Sequence, residues 1–147
     1  MSMTAELTPK QRAEKSAEAM WASDNASKWA GMEISAIDEG SATLELTVEA
    51  HHCNGHGICH GGVTFMLADS AFAFACNSRN QSTVAQSNSI TFTAPGKLGE
   101  RLIACAIEVS LTGRSGIYDV TVENQSGQMI AAFRGLSRAI KGQLFEE

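Results

Sequence analysis

An aspartate within an apolar run is the residue of this sequence whose position most favours chemistry. Asp69 is the one charged residue between Val63 and Cys76, where nearly every other side chain is apolar. A helix that is apolar on all sides is a buried helix. An ionised carboxylate in such a helix is costly unless it is paired, neutralised or functional. The residue itself leaves two roles open. In a structural role, nearby hydroxyl or backbone groups would donate hydrogen bonds to the carboxylate; the other role is catalytic.

Two glycines ahead of this run favour the catalytic role. Gly61 and Gly62 fall where the helix should begin, and the amides of a first helical turn have no intrahelical acceptor. Because neither residue has a side chain, a substrate oxygen can approach these amides, and the helix dipole favours negative charge there. The glycines therefore make a site for a developing oxyanion, which together with a carboxylate predicts acyl transfer or hydrolysis.

The spacing between these residues predicts an assembly. Asp69 lies eight residues beyond Gly61, which is about 12 Å along a helix axis. One carbonyl group cannot contact both residues of the same chain. If both act on the same bond, we expect a homodimer with shared active sites, in which antiparallel helices set Gly61 of one subunit beside Asp69 of the other.

Three short motifs follow one another in this part of the chain: Asn54-Gly55-His56, His60-Gly61-Gly62 and Leu67-Ala68-Asp69. They are followed later by Ala75-Cys76-Asn77-Ser78, Pro95-Gly96 and Tyr118-Asp119-Val120. The whole set, in this order, resembles the hotdog-fold acyl-CoA thioesterases of the PaaI type, which are associated with phenylacetic acid degradation. The resemblance covers roughly residues 21–140.

The resemblance implies roles for four residues. In that family the residue matching Asp69 is the catalytic carboxylate, and the amide matching Gly61 polarises the thioester carbonyl. The residues matching Asn54 and His60 line the same site. The resemblance also implies aryl- or arylacetyl-CoA substrates, no cofactor, and a homotetramer built from two dimers. It leaves open whether Asp69 attacks the carbonyl carbon or deprotonates a water molecule.

Coenzyme A carries phosphate groups, so basic residues are expected near the mouth of the site. We expect substrate binding by Arg114, with Ser115 and Gly116 of the same turn, and by Gly62 beside the oxyanion glycine. Further basic candidates are Lys97, Arg134 and Arg138. Ordinary surface charge is an equally simple interpretation of each of these side chains.

Composition limits the function classes. The chain has 147 residues, enough for one domain with a sizeable core. Hydrophobic residues make up 44% and charged residues 18%, as in globular proteins. The net charge of −5, without a basic stripe, argues against a nucleic-acid partner. No apolar run has the length of a signal peptide core or a membrane span, so we expect a cytoplasmic protein with no membrane partner.

A histidine- and cysteine-rich loop raises a zinc-binding alternative. His51, His52, His56 and His60 lie within ten residues, together with Cys53 and Cys59. Structural zinc sites usually draw on two pairs of closely spaced ligands, and no second pair follows later in the chain. We therefore expect His51, His52 and His56 to be solvated loop residues. The four cysteines show no framework spacing and are expected to be reduced thiols.

The remaining pattern predicts an α+β fold, an antiparallel sheet wrapped around one long buried helix, which is also the hotdog fold of the family. Thr8 and Pro9 predict a helix to about Ala22, and a second short helix continues through Trp29. Trp21 and Trp29 are expected to anchor these helices to the sheet. Alternation and turn residues predict strands at 32–38, 42–49, 84–93, 100–111, 117–123 and 128–140.

These elements divide the chain into three parts. We expect an N-terminal helical segment over residues 1–31, a hotdog domain over 32–141 and a C-terminal tail over 142–147. Two further functions remain compatible with this organisation. One is a hotdog dehydratase acting on acyl thioesters, and the other is a non-catalytic acyl-CoA-binding protein.

Overall fold

A sheet of six antiparallel strands wraps around one buried helix in the computed structural model, which describes residues 5–147. Along the sheet the strands follow the order β1-β2-β4-β5-β6-β3. The fold is therefore the α+β hotdog architecture that the sequence predicts. Its elements are α1 (Pro9–Ser23), α2 (Asn25–Trp29), β1 (Glu33–Asp38), β2 (Ser41–Thr47), α3 (Gly61–Cys76), β3 (Thr83–Phe92), β4 (Arg101–Thr112), β5 (Ser115–Glu123) and β6 (Met129–Ala139).

The core lies between α3 and the concave face of the sheet. The helix contributes alanines and large apolar side chains, among them Leu67 and Phe72, which are almost completely buried. On β2 the buried residues alternate with more exposed ones, as expected for a strand with one face on the core. Across residues 5–147, no helix combines the length and apolar character needed to cross a membrane.

Strand β4 carries apolar residues on both of its faces. Its buried side chains are Leu102, Ala104 and Ala106. The alternate residues Ile103, Cys105 and Ile107 point away from α3. The sequence also groups Val109 and Leu111 on this face, which is wrong for Leu111, because the register shifts between Glu108 and Ser110 and Leu111 lies beside Cys76 and Tyr118. Ile107 is 57% exposed. The outer face of the sheet therefore presents an apolar stripe, which we call the β4 stripe.

Strand β3 forms one edge of the sheet. It pairs with β6 on one side, and no strand among residues 5–147 pairs with its other side. Val84 is 46% and Phe92 is 51% exposed along this edge. A long edge strand with apolar side chains is a surface suited to pairing with another chain.

The N-terminal helices begin where the sequence predicts. Thr8 caps α1 with a capping box, and the Asp24 side chain caps α2. Trp21 packs against Phe74 of α3, with ring centroids 6.1 Å apart, and borders a groove beside β1. The expectation for Trp29 is wrong, because its side chain is 78% exposed. Trp29 is the last residue of α2, whereas Trp21 lies in α1 on the side that packs against α3.

The C-terminal residues are held against the body of the protein. The buried Asn80 side chain accepts hydrogen bonds from the amides of Leu144 and Phe145, and it donates one to the Phe145 carbonyl. Arg12 of α1 pairs with Glu147. The three-part division stays a prediction, and residues 1–4 of its first segment lie outside the described residues.

Gly135 on β6 controls how closely α3 approaches the sheet. A β-carbon at this position would lie 2.8 Å from three ring atoms of Phe72. The Phe72 ring is also packed against Tyr118 and Phe133, with centroid distances of 5.5 Å and 6.0 Å. These neighbours leave the Phe72 ring little space into which it could move.

We expect the Gly135→Ala variant to be destabilised by about 1–3 kcal/mol, because overpacking a filled core forces side chains or backbone to shift. Urea unfolding measures this change. Gly55→Ala is the matched control, since a β-carbon there meets nothing within 4 Å and a surface change usually costs under about 0.5 kcal/mol. Equal stability of the two variants would contradict the packing role of Gly135.

Candidate active site

A tightly hydrogen-bonded loop leads into α3. The Asn54 amide donates to the Ile58 carbonyl, and the His60 amide donates to the His52 carbonyl, so Cys53 and Cys59 lie opposite each other in a short antiparallel bridge. The Asn54 side-chain oxygen accepts from the His56 amide at 3.0 Å and, more weakly, from the Ile58 amide. This oxygen is committed to the loop. Within residues 5–147 the side-chain NH₂ of Asn54 has no acceptor and remains able to donate.

The first turn of α3 leaves one amide free. His60 is the N-cap residue, and its Nδ1 accepts from the Gly62 amide at 2.8 Å. The amides of Val63 and Thr64 return to the His60 carbonyl. The expectation of two free glycine donors is therefore wrong for Gly62, because the histidine ring occupies its N–H. The Gly61 N–H has no acceptor among residues 5–147.

The cap also fixes the state of the His60 ring. Because Nδ1 accepts a hydrogen bond, the neutral ring carries its hydrogen on Nε2. The side chain lies on the surface at the start of the helix. His60 thus shapes the helix terminus and presents an N–H donor toward solvent.

A pocket of about 490 Å³ opens beside the free Gly61 amide. Phe92 at the end of β3 approaches so closely that a β-carbon on Gly61 would lie 3.0 Å from its ring. The narrow space between α3 and Phe92 therefore favours a glycine at this position. The residues around the pocket include Asn54, Ile58, Gly61, Thr64, Phe92, Pro95 and Ile130.

Asp69 lies half-buried on α3 and faces β3. Strand β3 returns alongside the helix, and Asn88 Nδ2 donates to Asp69 Oδ1 at 2.9 Å. Burial raises the pKa of Asp69, and the hydrogen bond from Asn88 partly opposes this rise. The carboxylate is therefore a stronger base than an exposed one. Sequence analysis missed Asn88, and its one signal is a polar residue at a half-buried position of a predicted strand.

Asp69 and Gly61 are separated in the chain as the sequence predicts. Helix α3 is continuous from Gly61 to Cys76, so the two residues stand about 12 Å apart along its axis. Among the described residues, those that line the pocket at Gly61 do not include Asp69. A single chain therefore does not direct both groups to one carbonyl.

The expected substrate-binding turn lies at the opposite end of α3. Arg114 lines a separate pocket of about 180 Å³ together with Cys76 and Arg79. Ser115 accepts a hydrogen bond from Arg138 at 3.4 Å. Gly116 is buried, and a β-carbon there would lie 2.6 Å from Ser137 Oγ. Close packing thus accounts for this glycine, and one chain does not bring the turn together with Gly61.

The other basic candidates differ in their surroundings. Arg134 forms a two-bond ion pair with Asp119, at 2.6 Å and 2.9 Å, so its charge is already paired. Lys97 is exposed and directly follows Pro95 and Gly96, which line the pocket at Gly61. Of these candidates, Lys97 is the one whose chain position adjoins that pocket.

The histidine-rich loop does not offer a good zinc site. Ligand atoms of Glu49, His51 and His52 lie within 4.8 Å of one another. However, His52 Nδ1 accepts from the Glu49 amide at 3.0 Å, and its Nε2 bonds to the Ala30 carbonyl at 2.8 Å. Both ring nitrogens are used, which leaves no lone pair for a metal. His52 is 4% exposed, so its expected solvation is wrong, whereas His51 and His56 are exposed as expected.

Comparisons with known proteins identify the family to which the chain belongs. Residues 56–131 match the thioesterase superfamily. The chain is 41% identical to the acyl-coenzyme A thioesterase PaaI of Escherichia coli strain K12, over 92% of this chain and 97% of that protein.

Solved structures show the same likeness. The structure of the E. coli PaaI protein from the phenylacetic acid degradation operon aligns with a TM-score of 0.91 at 40% identity, covering 92% of this chain and 99% of the other. A Streptococcus mutans protein bound to acetyl-CoA aligns with a TM-score of 0.73 at 25% identity, covering 76% of this chain and 90% of that one.

The free helix-terminal amide, the carboxylate on the same buried helix and the match over more than half of the sequence lead to one assignment. The chain belongs to the thioesterase superfamily, as a PaaI-type hotdog acyl-CoA thioesterase that hydrolyses thioesters.

Proposed function

We propose that this thioesterase hydrolyses aryl- or arylacetyl-CoA thioesters, with phenylacetyl-CoA and its hydroxylated derivatives as the leading substrates. The observation that carries the proposal is the free Gly61 amide at the edge of an apolar pocket with space for an aromatic ring. Further support comes from the E. coli relative, whose operon serves phenylacetic acid degradation. The products are the free acid and coenzyme A.

The Gly61 amide polarises the thioester. The carbonyl oxygen accepts a hydrogen bond from this N–H, and the positive end of the α3 dipole stabilises the negative charge that develops on it. The free NH₂ of Asn54, which lines the same pocket, supplies a second donor. His60 holds the Gly62 amide and so keeps the helix terminus in the geometry that leaves Gly61 open.

Asp69 supplies the negative charge that starts the reaction. In one route its carboxylate attacks the carbonyl carbon, expels the CoA thiolate and leaves a mixed anhydride that water hydrolyses. In the other route it removes a proton from a water molecule, which attacks instead. The raised pKa of Asp69 favours its action as a base. Neither route requires a cofactor.

Both groups act on one bond when two subunits combine. We place the partner across the open edge of β3, because this edge lies beside Asp69 and carries the exposed Val84 and Phe92. A twofold axis that sets Gly61 against the partner's Asp69 also brings the C-terminal end of the partner's α3 past Gly61. Arg114 and Ser115 lie near that end. They would reach the coenzyme of the neighbouring subunit, while Lys97 acts from the same chain.

The β4 stripe supports a further association of two dimers. Its side chains are apolar and point outward from the sheet, so pairing two sheets would remove this surface from water. The homotetramer therefore remains part of the proposal. The cytoplasmic location also stays a prediction.

Substrate preference is tested with a panel of acyl-CoA thioesters and a thiol reagent that detects released coenzyme A. We expect kcat/KM for phenylacetyl-CoA to exceed that for acetyl-CoA and hexanoyl-CoA by about tenfold or more, because a fitted apolar pocket discriminates by roughly this factor per mismatched group. A preference for straight chains would contradict the aryl assignment and leave the thioesterase class intact.

We expect the Asp69→Asn variant to lose kcat by about 100-fold or more, since general base groups typically contribute this much. In the native enzyme kcat should fall as the pH drops through the raised pKa of Asp69, because the ionised form is the active one. Near-native turnover by Asp69→Asn would remove the carboxylate from the mechanism.

The same variant has an expected effect on stability. Because burial raises the pKa of Asp69, the folded protein binds this proton more tightly than the unfolded chain. Stability therefore falls as the pH rises from the ordinary carboxyl value through the raised one. At neutral pH, Asp69→Asn should unfold at the same or a higher urea concentration than the native protein. Such a result would show that the variant loses turnover while it remains folded.

The Gly61 donor is tested with two variants. Gly61 is the first residue of α3, a position that accepts proline, and proline removes its N–H. Gly61→Ala keeps the N–H and adds a β-carbon against Phe92. We expect kcat of Gly61→Pro to lie about 100-fold below that of Gly61→Ala, as for the loss of one oxyanion donor. Equal values would assign the glycine a purely steric role.

Shared sites are tested by co-expressing Asp69→Asn and Gly61→Pro chains with different affinity tags. A mixed dimer would hold one site with both native groups, so random pairing should restore about one quarter of the native sites. Activity should follow the doubly tagged fraction. Sites contained within one chain would leave that fraction inactive.

A further inference from the structure

Asn88 makes one hydrogen bond at the carboxylate and leaves one atom without a partner. Its Nδ2 donates to Asp69 Oδ1 at 2.9 Å. Its Oδ1 is buried and has no hydrogen-bond partner among residues 5–147. Buried polar atoms are nearly always satisfied, so this acceptor requires an explanation.

Rotating the amide does not remove the problem. With its two ends exchanged, the Asn88 oxygen would face the ionised Asp69 oxygen, and two acceptors would oppose each other. The NH₂ group would then occupy the buried position that lacks an acceptor. The orientation with NH₂ toward Asp69 is therefore the stable one. The unsatisfied carbonyl oxygen is the energetic cost of placing an NH₂ donor at this carboxylate.

The contact fixes one of the two carboxylate oxygens of Asp69. Its Oδ1 is held by Asn88, so Oδ2 is the oxygen left for other contacts. Because the carboxylate is held at one oxygen, Asn88 also sets the direction in which Oδ2 accepts a hydrogen bond.

We propose that Asn88 is a positioning residue, whose NH₂ holds Asp69 Oδ1 and thereby directs Oδ2 toward the attacking water. This inference rests on the proposed role of Asp69 and makes it more specific. Water adds to the thioester carbonyl carbon as Asp69 takes one of its protons. The bond from carbon to sulfur then breaks, and the CoA thiolate leaves with the electron pair and is protonated.

Few groups other than Asn88 influence the titration of Asp69. Within residues 5–147, burial raises its pKa and the Asn88 bond lowers it, and no cation faces it from the sheet strands or from α1 and α2. Cys76 on the same helix responds to the Asp69 charge, but burial raises the pKa of this thiol to about 12. The thiol stays neutral across the range in which a carboxyl titrates. A shift of the acid limb of the kcat–pH profile, where kcat falls as the pH drops, therefore reports on the contact between Asp69 and Asn88.

The test compares Asn88→Leu and Asn88→Asp with the native enzyme over a range of pH. Leucine removes both the donor and the acceptor at similar volume. We expect kcat to fall about 10-fold to 100-fold, as for a misplaced reactant, with KM changed less than about threefold, since the contact orients the carboxylate and does not bind the ground-state thioester. The acid limb of kcat should move to higher pH, because the bond that lowers the Asp69 pKa is gone.

Asn88→Asp keeps the shape and tests the charge. A second carboxyl beside Asp69 disfavours ionisation of the pair, so the acid limb should move to higher pH. This variant also carries the test if the leucine variant fails to fold. Ser89→Ala, an exposed position on the same strand, is the control and should leave kcat and the pH profile unchanged.

The results for the Asn88 and Asp69 variants distinguish a failure of this inference from a failure of the proposed function. If Asp69→Asn is inactive while a folded Asn88 variant keeps the native kcat and acid limb, the positioning role of Asn88 is overturned and the proposed function stands. A rise in KM alone would also overturn it, because it would make Asn88 a substrate contact. Full activity of Asp69→Asn would overturn the proposed function itself.

Discussion

The cost of keeping a carboxylate within an apolar helix governs the arrangement of this protein. Asp69 is half-buried, no cation compensates it among the described residues, and one hydrogen bond from Asn88 stabilises its charged form. Such a group must stand where the core meets the surface, since full burial of an unpaired charge is prohibitive. The edge between α3 and β3 is that place. The same burial that costs stability makes the carboxylate a stronger base.

The second requirement, a free amide donor, is met at the N-terminus of the same helix. The loop before α3 fixes His60 as a cap that occupies the Gly62 amide, and Phe92 lies so close to Gly61 that a glycine fits best there. A straight helix cannot bring its N-terminus and its middle to one carbonyl. The hydrogen-bonding geometry of a single element thus makes a second subunit part of the proposed chemistry.

Local patterns in the sequence were sufficient for the fold and for placing the two candidate residues, Asp69 and Gly61, on one buried helix. Alternation on β2 and β6, the cap at Thr8 and the apolar run of α3 are short-range signals, and the observed elements follow them. Likewise, Asp69 and Gly61 stand out because a charge in an apolar run and paired glycines at a helix start are visible without coordinates.

The errors concern partners that are distant in sequence. His52 bonds to the Ala30 carbonyl, Asn88 bonds to Asp69 across 19 positions, and Trp29 turns outward although Trp21 packs. The Gly62 error differs, because the competing acceptor is the ring of the adjacent histidine. No periodicity distinguishes a side chain that folds back onto a neighbouring amide from one that extends into water.

Gly135 shows how far the demands of the site extend. It lies on β6, beneath Phe72, which follows Asp69 by three residues on the same face of α3. A larger residue there displaces the ring, and with it the segment of helix that aims the carboxylate. Mutational scans scored by turnover would then mark this strand glycine as intolerant to change. The cause would be a displacement passed from Gly135 through the Phe72 ring to the helix, although Gly135 itself does not contact the thioester.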